Sequence, residues 1–336
     1  MSDKMLSEAK SAGGGKQKIG LITTGGDAPG MNAAVRAVVR SALSAGMEVT
    51  GIRRGWWGLL EKDYAALGSR SVSGIIAKGG TILRTQRCPL SKTKNGMAAI
   101  VSNLKKIAPD GLIVIGGDGS MRAANAVSKN SGVPVIGIPA SIDNDIAGTD
   151  ETIGFDTAIN TALDAIDKIR DTATSHSRIF IVEVMGRHSG HLALSAGFAS
   201  AAEIILMPEV KWTKARVLKK VRHFSIDKAS LIIVMAEGAG SSGVLREYLA
   251  ENTKAKVRVS KLGYIQRGGS PSVDSRILGG VFGYEAVELL KKGKKNLMCA
   301  WVKDSFKTVP LTYPASHKKK LNRKWLEIAG VLAGRK

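Results

Sequence analysis

From Lys18 almost to the C-terminus, short apolar runs alternate with stretches in which apolar residues return every three or four positions. The runs are KIGLIT (18–23), VTGI (49–52), GLIVI (111–115), VPVIGI (133–138), IFIVEV (179–184), EIILM (203–207), SLIIVM (230–235), KVRVS (256–260) and CAWV (299–302). They are short, β-branched and apolar throughout, which predicts strands covered on both faces. Between them, residues 155–170 place Phe155, Ala158, Ile159, Ala162, Leu163, Ile166 and Ile169 on one stripe, the mark of an amphipathic helix. A helix over 31–46 is predicted to end at Gly46, and one over 213–224 to be capped by Thr213. Strand–helix alternation predicts an α/β protein with mainly parallel sheets, right-handed crossovers and a ligand site at the carboxyl ends of the strands. Residues 1–16, polar and ending near GGG, read as a disordered leader.

Three of these strands run into unusual turns. KIGLIT opens into TTGGDAPG, where Gly25, Gly26 and Gly30 precede a helix. Such a turn lets backbone N–H groups approach a phosphate, although many glycine turns are merely tight; no Gly-Lys-Ser/Thr follows, so this is not a Walker loop. GLIVI ends in IGGDGS (115–120), with Asp118 either capping the next helix or standing beside phosphates and holding a cation. VPVIGI runs into ASIDND (140–145), where Asp143 and Asp145 flank Asn144. Two carboxylates so close repel unless they face different partners: one can accept a hydroxyl proton while the other orients a cation, the alternative being an Asx-type turn. Arg87, Arg178, Arg187, Arg258 and Arg267 lie by the ends of apolar runs, as phosphate-binding guanidiniums would.

Composition narrows the picture. With 336 residues, 44% hydrophobic, the chain can bury one or two domain cores. No apolar run approaches the roughly 20 residues of a membrane span, and no signal pattern opens the chain, so a cytoplasmic protein is expected. Cys88 and Cys299 are the only cysteines, too few for a disulfide framework or thiolate cluster. His188 and His191 lack a third ligand of suitable spacing for zinc. The formal charge is +22, and residues 291–336 hold 13 Lys/Arg against two acidic residues. This tail reads either as a solvated basic face or as an attractor of polyanions. It has no aromatic interleaving beyond Trp325 and no recognisable nucleic-acid module, so nucleic acid is not the expected partner.

Taken together, GGDAPGMNAA, GGDGS, IDNDIAGTDETIGFDTA, DTATSHSR, EVMGRHSG, Pro208-Glu209, AEG (236–238) and LGYIQRGGSPS resemble the 6-phosphofructokinase family in order and spacing, from about Lys18 to Phe282. The resemblance implies two Rossmann-like domains with the active site in the cleft between them: residues 17–153 with about 266–316 forming the larger, nucleotide-binding domain, and 154–265 with about 317–336 the smaller, sugar-phosphate one. It implies transfer of the γ-phosphoryl of ATP to the 1-hydroxyl of fructose 6-phosphate, in glycolysis. Asp143 would be the base and Arg187 would neutralise the transferred group. Asp118 and Asp145 would carry Mg²⁺. Gly26, Arg87, Cys88, Gly119 and Ser120 would lie on the donor side. Ser141, Met185, Gly186, Glu237, Tyr264 and Arg267 would hold the sugar phosphate. Arg178 and Arg258 resemble a pair reaching in from a neighbouring subunit, which implies a homo-oligomer, by family habit a tetramer. Arg36, Arg40, Arg170, Glu203 and Lys228 match an effector site for ADP or phosphoenolpyruvate. Ile226 replaces another cation of that site, so a weak or altered response is expected.

Two positions bear on the donor. Pyrophosphate-using members carry an aspartate where this chain has Gly119 and a lysine where it has Ala140. A carboxylate at 119 would repel the α-phosphate of a nucleotide, so both positions favour ATP, although the family's usual residue at 140 is glycine. Ser141 stands for the family's threonine, and Tyr264 replaces a usual histidine, as in some pyrophosphate users. The competing readings are a pyrophosphate-dependent enzyme and an inactive paralogue with a regulatory or polyanion-binding role; intact Asp118, Asp143 and Asp145 argue against the latter.

Overall fold

The computed structural model describes residues 16–227 and 230–333. The leader therefore lies, but for Lys16, outside the described residues, as does Lys228. Eleven strands are described: β1 Lys18–Thr24, β2 Glu48–Ile52, β3 Tyr64–Ala66, β4 Gly111–Gly116, β5 Val135–Pro139, β6 Arg178–Val184, β7 Ile204–Leu206, β8 Leu231–Ala236, β9 Lys256–Lys261, β10 Leu297–Val302 and β11 Ser305–Pro310. They form a seven-stranded sheet in the order β11-β10-β5-β4-β1-β2-β3 and a four-stranded sheet in the order β7-β8-β6-β9. Every pairing is parallel except the two outermost pairs of the large sheet, β2–β3 and β10–β11.

Helices cover both faces because successive side chains of a strand point in opposite directions. Ile19, Leu21, Ile113 and Ile115 turn to one face, where they meet Val35 and Val38 of the helix Met31–Ser44 and Phe282 of the helix Val273–Lys291. Ile22, Leu112 and Val114 turn to the other, against Ile100, Leu104, Met121 and Val127. Val182, Val184, Ile232 and Val234 of the small sheet belong to the first of these clusters, so one apolar layer joins the two sheets.

Two helices cross closely in that layer. Gly279 and Gly283 lie on Val273–Lys291, and a Cβ on Gly283 would sit 2.5 Å from the Cβ of Ala37 and 2.7 Å from the carbonyl oxygen of Ala34. Gly283→Val is expected to cost about 3 kcal/mol through overpacking. Thermal unfolding should show a Tm lower by roughly 5 °C or more; an unchanged midpoint would mean the helices have room to part.

The expected helices form. Gly46, at φ 75°, follows the end of Met31–Ser44, and the Arg216 N–H donates to Thr213 Oγ1 at 3.2 Å at the head of Lys214–Asp227. The helix predicted over 155–170 runs on to Ser175. Two strands escaped the apolar pattern: β3 has only three residues, and β11 is an edge strand largely open to solvent. β9 corrects the expectation of strands covered on both faces. It is an edge of the small sheet, with Lys256 and Arg258 turned to solvent. Among the described residues no helix is long and apolar enough to cross a membrane.

Candidate active site

The glycine turns converge because β1, β4 and β5 are parallel neighbours whose carboxyl ends lie side by side. Gly25, at φ 95°, follows β1, and the Ser120 hydroxyl lies 2.8 Å from where its Cβ would be; only glycine satisfies both conditions. Ser120 Oγ donates to the Thr24 carbonyl at 2.8 Å, tying the first turn to the second. Asp118 is the first residue of the helix Asp118–Ser131, capped by Gly117 with no side-chain bond, so Asp118 is not the cap. Its carboxylate instead takes Arg122, one helical turn on, at 2.5 Å.

The third turn holds the carboxylate pair. Ser141 Oγ accepts from the Asp143 N–H at 3.2 Å and donates to Asp145 Oδ1 at 3.3 Å, so one hydroxyl sets both acids. Asn144 sits between them at φ 47°, and its Nδ2 donates to the Asp150 carbonyl at 3.0 Å. Thr152 Oγ1 donates to the Ser141 carbonyl at 2.6 Å, closing the loop at its base. The Asp143 carbonyl accepts from Ser189 Oγ at 3.1 Å, which links this loop to the turn after β6.

These turns line a cavity of about 540 Å³ that contains Gly26, Arg87, Cys88, Asp118, Gly119, Ser120, Ala140, Ser141, Asp143, Asp145, Arg187 and Arg267. Arg87 is held there by neighbours of the first turn: Thr85 Oγ1 donates to the Gly25 carbonyl at 3.0 Å, and Trp57 Nε1 to the Arg87 carbonyl at 3.0 Å. Arg267 reaches across from the segment after β9. Its guanidinium comes within 3.5 Å of where a Cβ on Gly26 would lie, and its buried Nε has no partner among the described residues. Nothing stands within 4 Å of a Cβ built on Gly119, so the cavity is open at that position. Asp27, which approaches Arg267 at 3.9 Å, and Trp56 and Lys92, which line the wall, had no signal in the sequence beyond their neighbourhood to a glycine turn or an arginine.

Burial raises both acids of the third turn. Burial and the nearby Asp145 push Asp143 from 3.8 up to about 6, against the opposing pull of Arg267 and Arg87. Asp145 is also raised, by burial first and then by the Asp118 charge. A carboxyl poised near neutrality and faced by guanidiniums is suited to take a proton from a hydroxyl beside a phosphate.

The remaining sugar-side residues surround this cavity without lining it. Met185 is buried and its N–H donates to Gln266 Oε1 at 3.3 Å; Gly186 follows it. Glu237 follows β8, exposed, and its charge bears on Asp143. Tyr264 is 79% exposed, with Arg267 over its ring at 5.6 Å. Arg178 and Arg258 do not join. Arg178 opens β6 and Arg258 faces Phe180 across the β6–β9 register, so both sit back from the carboxyl end of the small sheet. This corrects the reading of five arginines at successive strand ends: Arg87, Arg187 and Arg267 enter the cavity and these two do not.

A phosphofructokinase family profile matches residues 18–290. The chain belongs to the phosphofructokinase family. It is 47% identical over 321 residues to the ATP-dependent 6-phosphofructokinase of Thermotoga neapolitana, covering 94% of this chain and all of that one. It is 51% identical over 279 residues to the protein of the same name from Bacillus subtilis, covering 83% and 87%. Among solved structures, phosphofructokinase from Saccharomyces cerevisiae superposes with a TM-score of 0.83 at 31% identity, over 94% of this chain and 47% of that chain, so this chain spans about half its length. A pyrophosphate-dependent phosphofructokinase from Marinobacter aquaeolei gives a TM-score of 0.83 at 23% identity, a likeness of fold. As a phosphofructokinase the chain is a phosphotransferase with an alcohol acceptor. Of the residues matching the family's effector site, Arg170 pairs with buried Glu203 at 3.5 Å, and Glu203 also accepts from the Ile232 N–H at 2.9 Å. Arg40 donates to the Ser69 carbonyl at 3.3 Å, with Arg36 one turn earlier on the same helix.

Proposed function

We propose that this phosphofructokinase transfers the γ-phosphoryl group of ATP to the 1-hydroxyl of fructose 6-phosphate, giving fructose 1,6-bisphosphate and ADP, a reaction of glycolysis, in the cytoplasm. The observation that carries this reading is Asp143, held near neutrality beside Asp145 where three glycine turns meet. Asp143 takes the hydroxyl proton as the oxygen attacks. The Gly26 and Gly119 backbones and Arg87 lie against the donor phosphates, and Arg187 stabilises charge on the group in flight. Met185, Gly186, Glu237, Tyr264 and Arg267 hold the sugar phosphate, with the unpartnered Arg267 Nε free to donate to it.

Asp118 and Asp145 fit a magnesium ion. They are hard oxygen donors, and the Asp118 charge helps to raise the proton affinity of Asp145, a repulsion that a divalent cation relieves. When bound, Mg²⁺ neutralises the donor phosphates. The larger sheet with residues 17–153 and about 266–316 serves the nucleotide, and residues 154–265 with about 317–336 the sugar phosphate. Arg178 and Arg258 complete the site of a second copy, so the working form is a homo-oligomer, a tetramer by family habit.

Open space at Gly119, with no lysine at Ala140, favours ATP over pyrophosphate. A coupled assay with each donor at equal Mg²⁺ tests this. ATP is expected to support turnover at least a hundredfold faster, and equal or faster turnover with pyrophosphate would reject the reading.

A further inference from the structure

The basic tail, read from sequence either as a solvated face or as an attractor of polyanions, has a cation beyond β11 that points inward. Lys319 Nζ donates to the Asp150 carbonyl at 2.6 Å, across 169 residues of chain. That same carbonyl accepts from Asn144 Nδ2, the side chain of the residue between Asp143 and Asp145. Asn144 is buried, and Thr152 Oγ1, whose proton goes to the Ser141 carbonyl, lies 3.3 Å from its Oδ1. The ammonium, the carbonyl and the amide thus form a three-part link from the tail to the backbone that carries both acids.

The segment is anchored on either side of Lys319. Before it, the rings of Tyr313 and His317 stack at 4.1 Å, and Tyr313 packs where Gly148 of the acidic loop has no side chain. After it, Asn322 Oδ1 accepts from the N–H groups of Lys324 and Trp325 at the head of the helix Arg323–Leu332, and Trp325 stacks on Phe198 at 5.7 Å. The loop is further bound to the β10–β11 hairpin: the Asp150 N–H donates to the Trp301 carbonyl at 2.8 Å, and the Lys303 N–H to Asp150 Oδ2 at 3.0 Å. Those bonds fix the outer end of the loop. Lys319 alone of the described tail lysines is bonded to the carbonyl that Asn144 also uses. The charged groups bearing on it are Asp150, Glu151 and Asp145 from the loop, with His191 nearby on the helix His191–Ala199.

We infer that Lys319 is a positioning residue for phosphoryl transfer, a strut from the C-terminal segment that holds the Asp143–Asp150 loop through the shared Asp150 carbonyl. It does not line the cavity that holds Asp143. A base displaced by a fraction of its hydrogen-bond length loses turnover, while binding of the sugar phosphate, made by Met185, Gly186, Glu237, Tyr264 and Arg267 outside this loop, is kept. This inference rests on the proposed reading of Asp143 as the base, so its test has one arm that depends on activity and one that does not.

The variants are Lys319→Met, which keeps the apolar stem without the ammonium, and Lys319→Arg, which restores a cationic donor. In the assay with ATP and fructose 6-phosphate at saturating Mg²⁺ and ATP, K319M is expected to lower kcat at least tenfold with the KM for fructose 6-phosphate within threefold of the parent, and K319R to recover most of kcat. In hydrogen exchange of the full chain, amides of residues 143–151 should exchange at least tenfold faster in K319M, with β1, β4 and β5 unchanged. Inactivity of the parent chain toward both substrates would reject the functional reading and leave the exchange arm to decide for Lys319. Unaltered exchange in 143–151, a kcat within twofold of the parent, or a loss that K319R does not reverse would overturn the inference.

Discussion

Asp143→Asn is expected to lower kcat at least a thousandfold while making the protein harder to unfold. The first half follows if Asp143 is the base proposed above, a role with a typical worth of about 10²–10⁴ in rate. The second half follows from the site's electrostatics. Holding Asp143 ionised where its pKa lies at about 6 rather than 3.8 costs the folded state about 3 kcal/mol above neutrality. Because the folded value is the higher one, the folded chain binds this proton more tightly. The cost is therefore full above pH 7 and fades as pH falls through 6 towards 4. Asparagine removes it. The variant's Tm should exceed the parent's at pH 8, and the two should unfold alike near pH 4. In the parent, kcat/KM should fall tenfold per pH unit below about 6. A variant that keeps a tenth of parental turnover would remove Asp143 from the base role, and an equal Tm at pH 8 would show that the site imposes no such cost.

Arg258→Ala should lower kcat/KM for the sugar phosphate about a hundredfold, as expected when a charged partner of a bound phosphate is truncated, and leave the KM for ATP nearly unchanged. Within one chain this arginine has no route to the cavity. It is exposed on the edge strand β9, opposite Phe180, while Arg178 stands at the start of β6, roughly 20 Å along the strand from Val184. If the pair serves a second copy, the defect is complementable. Chains carrying D143N and chains carrying R258A, co-expressed and assayed at low sugar phosphate, should regain activity. The recovered sites take Asp143 from one variant and Arg258 from the other. No recovery above the two separate variants would mean that each chain completes its own site.

The pattern of apolar runs was sufficient for the class of fold because buried parallel strands must be apolar on both faces, a property visible in five or six consecutive residues. The same locality explains what it misplaced. β3 and β11 lie at sheet edges, where burial and hence the apolar signal is incomplete. Asp118 reads equally as a cap or as a cation ligand, since both roles ask for a carboxylate after glycine; its place one residue inside the helix and its pairing with Arg122 decide against the cap.

For the site, the sequence by itself determined the chemistry: glycines where backbone must approach charge, carboxylates that a core would not accept, and guanidiniums following apolar strands. These are local demands, each met within a few residues of one strand end. Only the tertiary structure decided which of them meet. Parallel pairing of β1, β4 and β5 brings Gly26, Asp118 and Asp143 to one cavity, and the strand direction of β6 carries Arg178 away from it. It also turned one lysine of a basic tail onto the back of the acidic loop. No local pattern marks that lysine, because the carbonyl it binds lies 169 residues away and is brought to it by the packing of β10, β11 and the last helix.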